Sequence, residues 1–326
     1  MRLLITGVAG FIGSHVTESL LADGHEVVGV DNFDPFYDRA LKEANLRACA
    51  DHQSFLMVEE DIRNAEAMVA LTERNGPFDV ILHLAARAGV RPSIADPIGY
   101  TAVNVLGTTN LLQAATQCRP LPRFIFASSS SVYGNNEKVP FSETDPVERP
   151  ISPYAATKRA GELICHSFHH LYGLPVYCLR FFTVYGPRQR PDLAINKFVR
   201  QVLAGHPIQM FGDGSTARDY TYISDIVFGV RRAIDRCQGY EILNLGSRNP
   251  ITLKEMIEVV GKACGRKPVI EAKPMQPGDV NRTFADVTKA HHLLGYKPSM
   301  PFQEGVLRFV EWYRSTMAGA AIRSDA

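Results

Sequence analysis

Ser128-Ser129-Ser130-Ser131-Val132-Tyr133-Gly134 closes an apolar run, and Tyr154-Ala155-Ala156-Thr157-Lys158 follows it. A tyrosine and a lysine spaced i, i+4 lie on one face of a helix. Set beside hydroxyls at a strand end, they bring three proton-handling groups to one point, which suits proton transfer to or from a substrate hydroxyl. A phenol near pKa 10 is a poor base at neutral pH and needs a nearby positive charge to become phenolate. Lys158 is the cation that the spacing offers.

Short apolar runs at 2–6, 26–30, 54–58, 80–83, 124–127 and 176–180 alternate with amphipathic stretches. This β-α rhythm predicts a doubly wound parallel sheet covered by helices. The runs are rich in Val, Ile and Leu without strict alternation, as burial on both faces requires. After Pro187 the rhythm loosens, with prolines and glycines separating helices near 193–204, 224–235, 252–264 and 302–316. We expect 1–187 to form a nucleotide-binding domain and 188–317 mainly a smaller substrate lobe. A strand and helix from about 220–246 should return to the main sheet, and 318–326 should be a frayed tail.

The 326 residues are 45% hydrophobic, enough for a large core, and the net charge of +1 marks no basic surface for nucleic acid or anionic membrane. Six scattered cysteines without a C-x-x-C spacing read as reduced packing residues of a cytoplasmic protein. No signal-peptide pattern or membrane span is visible. His166, His169 and His170 have near-ligand spacing, but on the helix of Tyr154 they read as surface or interface residues, and no metal is expected.

Thr6-Gly7-Val8-Ala9-Gly10-Phe11-Ile12-Gly13 sits between the first strand and a helix, where glycines permit a tight turn and close approach to a pyrophosphate. Asp31 ends the second strand, placed to accept from adenosine ribose hydroxyls and repel a 2'-phosphate, so NAD is favoured over NADP. Asp61-Ile62 and Leu84-Ala85-Ala86 follow the third and fourth strands. Together with the serine run and Tyr-x-x-x-Lys, these motifs resemble the extended short-chain dehydrogenase/reductase family over nearly the whole chain.

That resemblance implies a Rossmann-type fold and a homodimer paired through helices near 97–117 and 154–172. It casts Tyr154 as the acid/base, Lys158 as the cation that holds the nicotinamide ribose and lowers the tyrosine pKa, and Ser129 as the substrate bridge. It adds Asn32, Asn104 and Phe181 to the cofactor residues Gly7, Gly10, Phe11, Ile12, Gly13, Asp31, Asp61, Ile62, Leu84, Ala85 and Ala86. Relatives that dehydrate a nucleotide sugar carry Asp-Glu after the bridging residue, and decarboxylases carry Glu just before Val-Tyr-Gly. Serine occupies both places here, at Ser130 and Ser131. Without a second acid, redox at one sugar carbon remains, which is epimerisation.

The segments 31–38, 88–93, 188–192 and 276–280 resemble those of UDP-glucuronate 4-epimerases. Gln276 stands where UDP-galactose 4-epimerases place a phosphate-binding arginine, and Arg190 is the candidate replacement, the alternative being that it caps a nearby helix. The resemblance assigns substrate contacts to Arg91, Ser93, Ser129, Ser130, Ser131, Thr183, Arg190, Lys197, Phe198, Gln209, Phe211, Arg218, Gln276 and Asp279. The neighbouring serine Ser128 is expected only to satisfy backbone groups. Rival readings are a 4-epimerase of neutral or N-acetylated UDP-hexoses, a UDP-glucuronate decarboxylase, and an inactive nucleotide-binding sensor.

Overall fold

The apolar runs become strands because each is short, β-branched and bounded by glycine, proline or polar turns. A computed structural model describes residues 1–274 and 281–324, the last eight by backbone only. Its strands are β1 (Arg2–Thr6), β2 (Glu26–Asp31), β3 (Phe55–Glu59), β4 (Val80–His83), β5 (Arg123–Ser129), β6 (Val176–Phe181), β7 (Thr183–Tyr185), β8 (Ile208–Phe211), β9 (Ala217–Tyr222), β10 (Tyr240–Leu245), β11 (Pro250–Thr252) and β12 (Ile270–Lys273).

Seven of these strands form one parallel sheet in the order β10-β6-β5-β4-β1-β2-β3. The chain winds outward from β1 in one direction and then returns to start again at β4. At that reversal the connections diverge and leave a crevice beyond the carboxyl ends of the strands. Thr6 there pairs with Val30 on one side and His83 on the other.

The central strands are buried on both faces: Leu3, Leu4, Ile5, Val80, Ile81 and Leu82 have no exposed surface. Each such side chain contributes about 1.5–3 kcal/mol of hydrophobic stabilisation. β3 departs from the expectation of full burial because it is an edge strand, and its Leu56 is exposed. β10 joins the sheet beside β6, and the helix Ile223–Arg236 packs close to β5, β6 and the helix Phe11–Ala22.

Beyond β6, the strands β7, β9 and β11 make a small mixed sheet, and β8 pairs with β12. Buried Asp219 ties this region together by accepting from the backbone amides of Ser247, Arg248 and Ala285 and from the Ser247 hydroxyl. Two helical expectations are corrected. The stretch near 97–117 is not one α-helix: Ala102–Gly107 is a π-helical turn between Pro97–Thr101 and Thr108–Gln117. The last helix does not stop near 316 before a frayed tail but continues to Ser324.

The turn after β1 explains its glycines. Gly7 has φ +73°, and a Cβ there would lie 2.7 Å from the Ala85 amide nitrogen. A Cβ on Gly13 would lie 2.2 Å from the Gly7 carbonyl oxygen, with only backbone to yield. Gly13→Ala is therefore expected to destabilise the protein by about 1–3 kcal/mol, measured by chemical denaturation; unchanged stability would contradict this packing.

Candidate active site

The crevice at the strand reversal opens into a cavity of about 500 Å³. Its floor is the Gly7–Gly13 turn and the helix Phe11–Ala22, whose first amides face the cavity without a side-chain cap. Asp31, Asn32, Asp61 and Ile62 line one end, Leu84, Ala85 and Ala86 the middle, and Phe181, Tyr154 and Lys158 the other end. Asp31 Oδ2 accepts from the Ala9 amide and Oδ1 from the Phe33 amide, which fixes the carboxylate. Burial pushes its pKa up, and neighbouring Lys42 opposes that rise.

Asn104 is the one expected cofactor residue that does not line the cavity; it is buried behind it. Its side chain accepts from the Arg87 amide and donates to the Arg87 carbonyl and the Thr157 hydroxyl, at 2.8–3.0 Å. Thr157 in turn donates to the Tyr154 carbonyl. On the other side, Thr108 donates to the Asn104 carbonyl, leaving its oxygen to accept from His83 Nε2, while Nδ1 accepts from Thr6. This chain of bonds fixes the neutral His83 ring and links the middle of the cavity wall to the helix of Tyr154. Burial lowers the His83 pKa to about 3.

Ser152 caps the helix Pro153–Tyr172 by accepting from the Ala155 amide, and Pro153 occupies its first turn. These two residues begin the helix so that Tyr154 and Lys158 project across the end of β5. The Tyr154 hydroxyl is buried, which raises its pKa; a hydrogen bond with Ser129 and the charge of Arg190 work against that rise. Lys158 is only 4% exposed, and its Nζ donates to the Ala127 carbonyl at 2.7 Å. Burial lowers its pKa to about 8, opposed by Cys165 and Glu162. Lys158 Nζ is thus held at the end of β5, while the charge of Arg190 opposes the rise at Tyr154.

The serine run forms a one-turn 3-10 helix. The Ser129 hydroxyl accepts from the Ser131 amide and donates to the Ser131 hydroxyl, both at 3.2 Å. Ser129, Ser130, Ser131, Thr183, Arg190 and Arg218 all line the cavity. Ser128 differs from expectation: its hydroxyl donates to the Glu162 carboxylate at 2.6 Å rather than to backbone. Arg190 bonds Asp192 and the Ala88 carbonyl, with its guanidinium 5.2 Å from the Phe36 ring centre.

Other expected substrate residues stand elsewhere. Ser93 is fully buried; its hydroxyl donates to the Val90 carbonyl and accepts from the Tyr154 amide, so it holds Tyr154 from behind. Phe198 packs into the core, and Lys197 and Gln209 lie outside the cavity wall. Arg91, in the short helix Val90–Ala95, sits over the ring of Phe211 of β8 at 5.6 Å, and neither residue lines the cavity. Gln276 and Asp279 fall outside the described residues.

Sequence reasoning missed Lys42, Phe36, Tyr37, Ser152, Leu193 and Thr283, all of which line the cavity, as does Arg87, a weaker expected partner of a sugar carboxylate. The loop 31–38 did carry a signal in its quoted motif. Lys42 carried none, because its position depends on the helix Arg39–Leu46 folding back over Asp31. Among the described residues, no cluster of His, Cys, Asp or Glu could hold a metal ion.

The family model described as GDP-mannose 4,6-dehydratase matches residues 4–309. A probable UDP-glucuronate 4-epimerase of Rhizobium meliloti is 42% identical over 96% of this chain and 97% of that protein. A UDP-glucuronate 4-epimerase of Thermodesulfobacterium geofontis is 41% identical over 96% of each. Among solved structures, the UDP-glucuronic acid 4-epimerase of Bacillus cereus, in complex with UDP-glucuronic acid and NAD, superposes with a TM-score of 0.91 and 36% identity, covering 97% of this chain and 100% of that one.

The buried neutral His83 sets a pH test. Its pKa of about 3 lies below the ordinary 6.5, so its contribution to stability is complete above pH 6.5 and is lost as pH falls towards 3. Between pH 6.5 and 5 this one residue should cost about 2 kcal/mol. Denaturation of His83→Gln should show a correspondingly flatter pH dependence; an unchanged slope would refute the assignment.

Proposed function

The chain belongs to the extended short-chain dehydrogenase/reductase family matched by that model, and from this premise we propose that it interconverts UDP-glucuronate and UDP-galacturonate by NAD-dependent 4-epimerisation. The observation that carries the reading is Ser129 and Tyr154 together on the wall of a cavity whose serine run supplies no carboxylate at Ser130 or Ser131. A dehydratase needs a second acid to expel water, so the name of the family model does not describe this site.

The cavity fits NAD. Gly7 and Gly13 leave a cradle that any Cβ would fill, uncapped amides at the helix start face the pyrophosphate position, and Asp31 suits ribose hydroxyls. NAD bound there would supply the acceptor and donor for the hydride of sugar carbon 4, with no net redox. Tyr154 takes the proton of the 4-hydroxyl and gives it back, and Ser129 relays and orients it. Arg190 favours the phenolate and stands where an anionic substrate group could meet it. Lys158 serves the nicotinamide ribose end.

A 4-keto glucuronate is a β-keto acid, so the enzyme must hold the carboxylate away from the geometry that releases carbon dioxide. Ser131 and Thr183 are the hydroxyl donors we assign to that task, with Arg218 reaching the diphosphate. Residues 188–317 supply the Arg218 and Thr283 side of the cavity, consistent with a sugar-nucleotide lobe. We further infer a homodimer: Ile98, Leu106, Leu163 and Leu171 are between 50% and 82% exposed on the helices that the family pairs. No helix among the described residues is long and apolar enough to cross a membrane. We place the protein in the cytoplasm on its unpaired cysteines.

Incubation with UDP-glucuronate, followed by proton NMR, should yield UDP-galacturonate. Absence of that product sinks the reading, and UDP-pentose would mean decarboxylation. Tyr154→Phe should retain NAD but lose about 10²–10⁴-fold in kcat; an unaltered rate would remove Tyr154 from the reaction. Because Lys158 sheds its proton near pH 8, kcat should decline as pH rises past about 8. A flat profile through mildly alkaline pH would show that the lysine charge is not needed.

A further inference from the structure

Glu162 lies one helical turn beyond Lys158, has no exposed surface, and takes no part in the proton transfers described above. Its carboxylate accepts from four donors on three elements. Ser128 Oγ bonds Oε1 at 2.6 Å, and Arg180 reaches Oε1 through Nε at 2.8 Å and Oε2 through Nη2 at 2.9 Å. Arg159 Nη1 adds a bond to Oε2 at 3.0 Å. Burial opposes this carboxylate, but Arg180, Ser128 and Arg159 outweigh it and hold the pKa below the ordinary range.

Arg180 is itself only 1% exposed, with its guanidinium 4.8 Å from the Tyr133 ring centre, and the Tyr133 hydroxyl donates to Asn244 at 2.7 Å. Ser128 and Arg180 are register partners on β5 and β6, so adjacent strands reach the same carboxylate. As a source of stability this is a poor arrangement, because a buried ion pair is commonly matched or bettered by apolar side chains of similar volume. What it provides instead is direction: a bidentate fork tolerates little rotation or sliding. The residue after Ser128 is Ser129, and the residue one turn before Glu162 is Lys158.

We propose that Glu162 is a positioning residue for this reaction: gripping Ser128 and Arg180 at the ends of β5 and β6, it fixes Ser129 relative to Tyr154 and Lys158 on its own helix. The inference rests on the epimerase reading only for the substrate used to test it. Loss of about 1 Å of registration between reacting groups can cost on the order of a hundredfold in rate without altering ligand affinity. Ser129 and Tyr154, both on the cavity wall, are the pair through which that loss would act.

Two variants test the proposal. Ser128→Ala removes one bond and little volume, and should lower kcat about tenfold at unchanged KM and unchanged NAD content. The double variant Glu162→Met with Arg180→Met replaces the pair by apolar side chains. It should melt within a few degrees of the parent yet lose about a hundredfold in kcat, again with KM and NAD content preserved. Wild-type kcat in Ser128→Ala overturns the proposal, as does a change confined to KM; if the double variant fails to fold, Ser128→Ala alone decides. Parent activity is read first: no product from UDP-glucuronate refutes the functional reading, and the variants are then compared on whichever nucleotide sugar the parent turns over.

Discussion

Lys158 is an ammonium almost wholly out of water, and such a group survives charged only where the protein replaces its hydration. The Ala127 carbonyl does so at 2.7 Å, with the Phe126 ring centre 5.1 Å from Nζ. Both partners belong to β5, so the bond that keeps Lys158 charged also pins the helix Pro153–Tyr172 across the carboxyl end of that strand. Ser129 ends β5 and Tyr154 begins the helix. Their meeting on one cavity wall follows from this single crossing, and the proton chemistry depends on it.

The same crossing explains why the site is chemically narrow. With β5 ending in serine hydroxyls and the buried acid of the helix, Glu162, turned away to Arg180 and Ser128, the groups near Tyr154 can exchange one proton but cannot drive an elimination. Arg190, in the loop after β7, bridges Asp192 and the Ala88 carbonyl, and its charge opposes the raised pKa of Tyr154. That loop also borders the substrate side of the cavity.

Much of this was legible in the sequence because the signals were local. β1 and β4 begin and end where their apolar runs do, and the Gly7–Gly13 turn announces itself by spacing. Tyr154 and Lys158 share a helix face by periodicity alone. What escaped notice depends on tertiary contact. Ser93 and Asn104 resemble ligand contacts by position in a motif, yet their side chains are consumed in holding Tyr154 and Arg87. Phe198 reads as a substrate contact but faces the core, since the helix Ala194–Ala204 buries that side. The hold of the Ala127 carbonyl on Lys158 was not legible either, because an i, i+4 spacing gives a shared face and not the direction of a lysine head group. Lys42 was invisible for the same reason: its helix folds back over Asp31 through contacts that no local pattern encodes.

In this enzyme one sugar carbon is oxidised and reduced within a single site. The decisive measurement uses UDP-glucuronate carrying deuterium at carbon 4, converted to partial completion and read by NMR. UDP-galacturonate should keep the deuterium at carbon 4, with no solvent hydrogen entering the ring. Loss of the label to solvent, or solvent hydrogen at carbon 5, would contradict it.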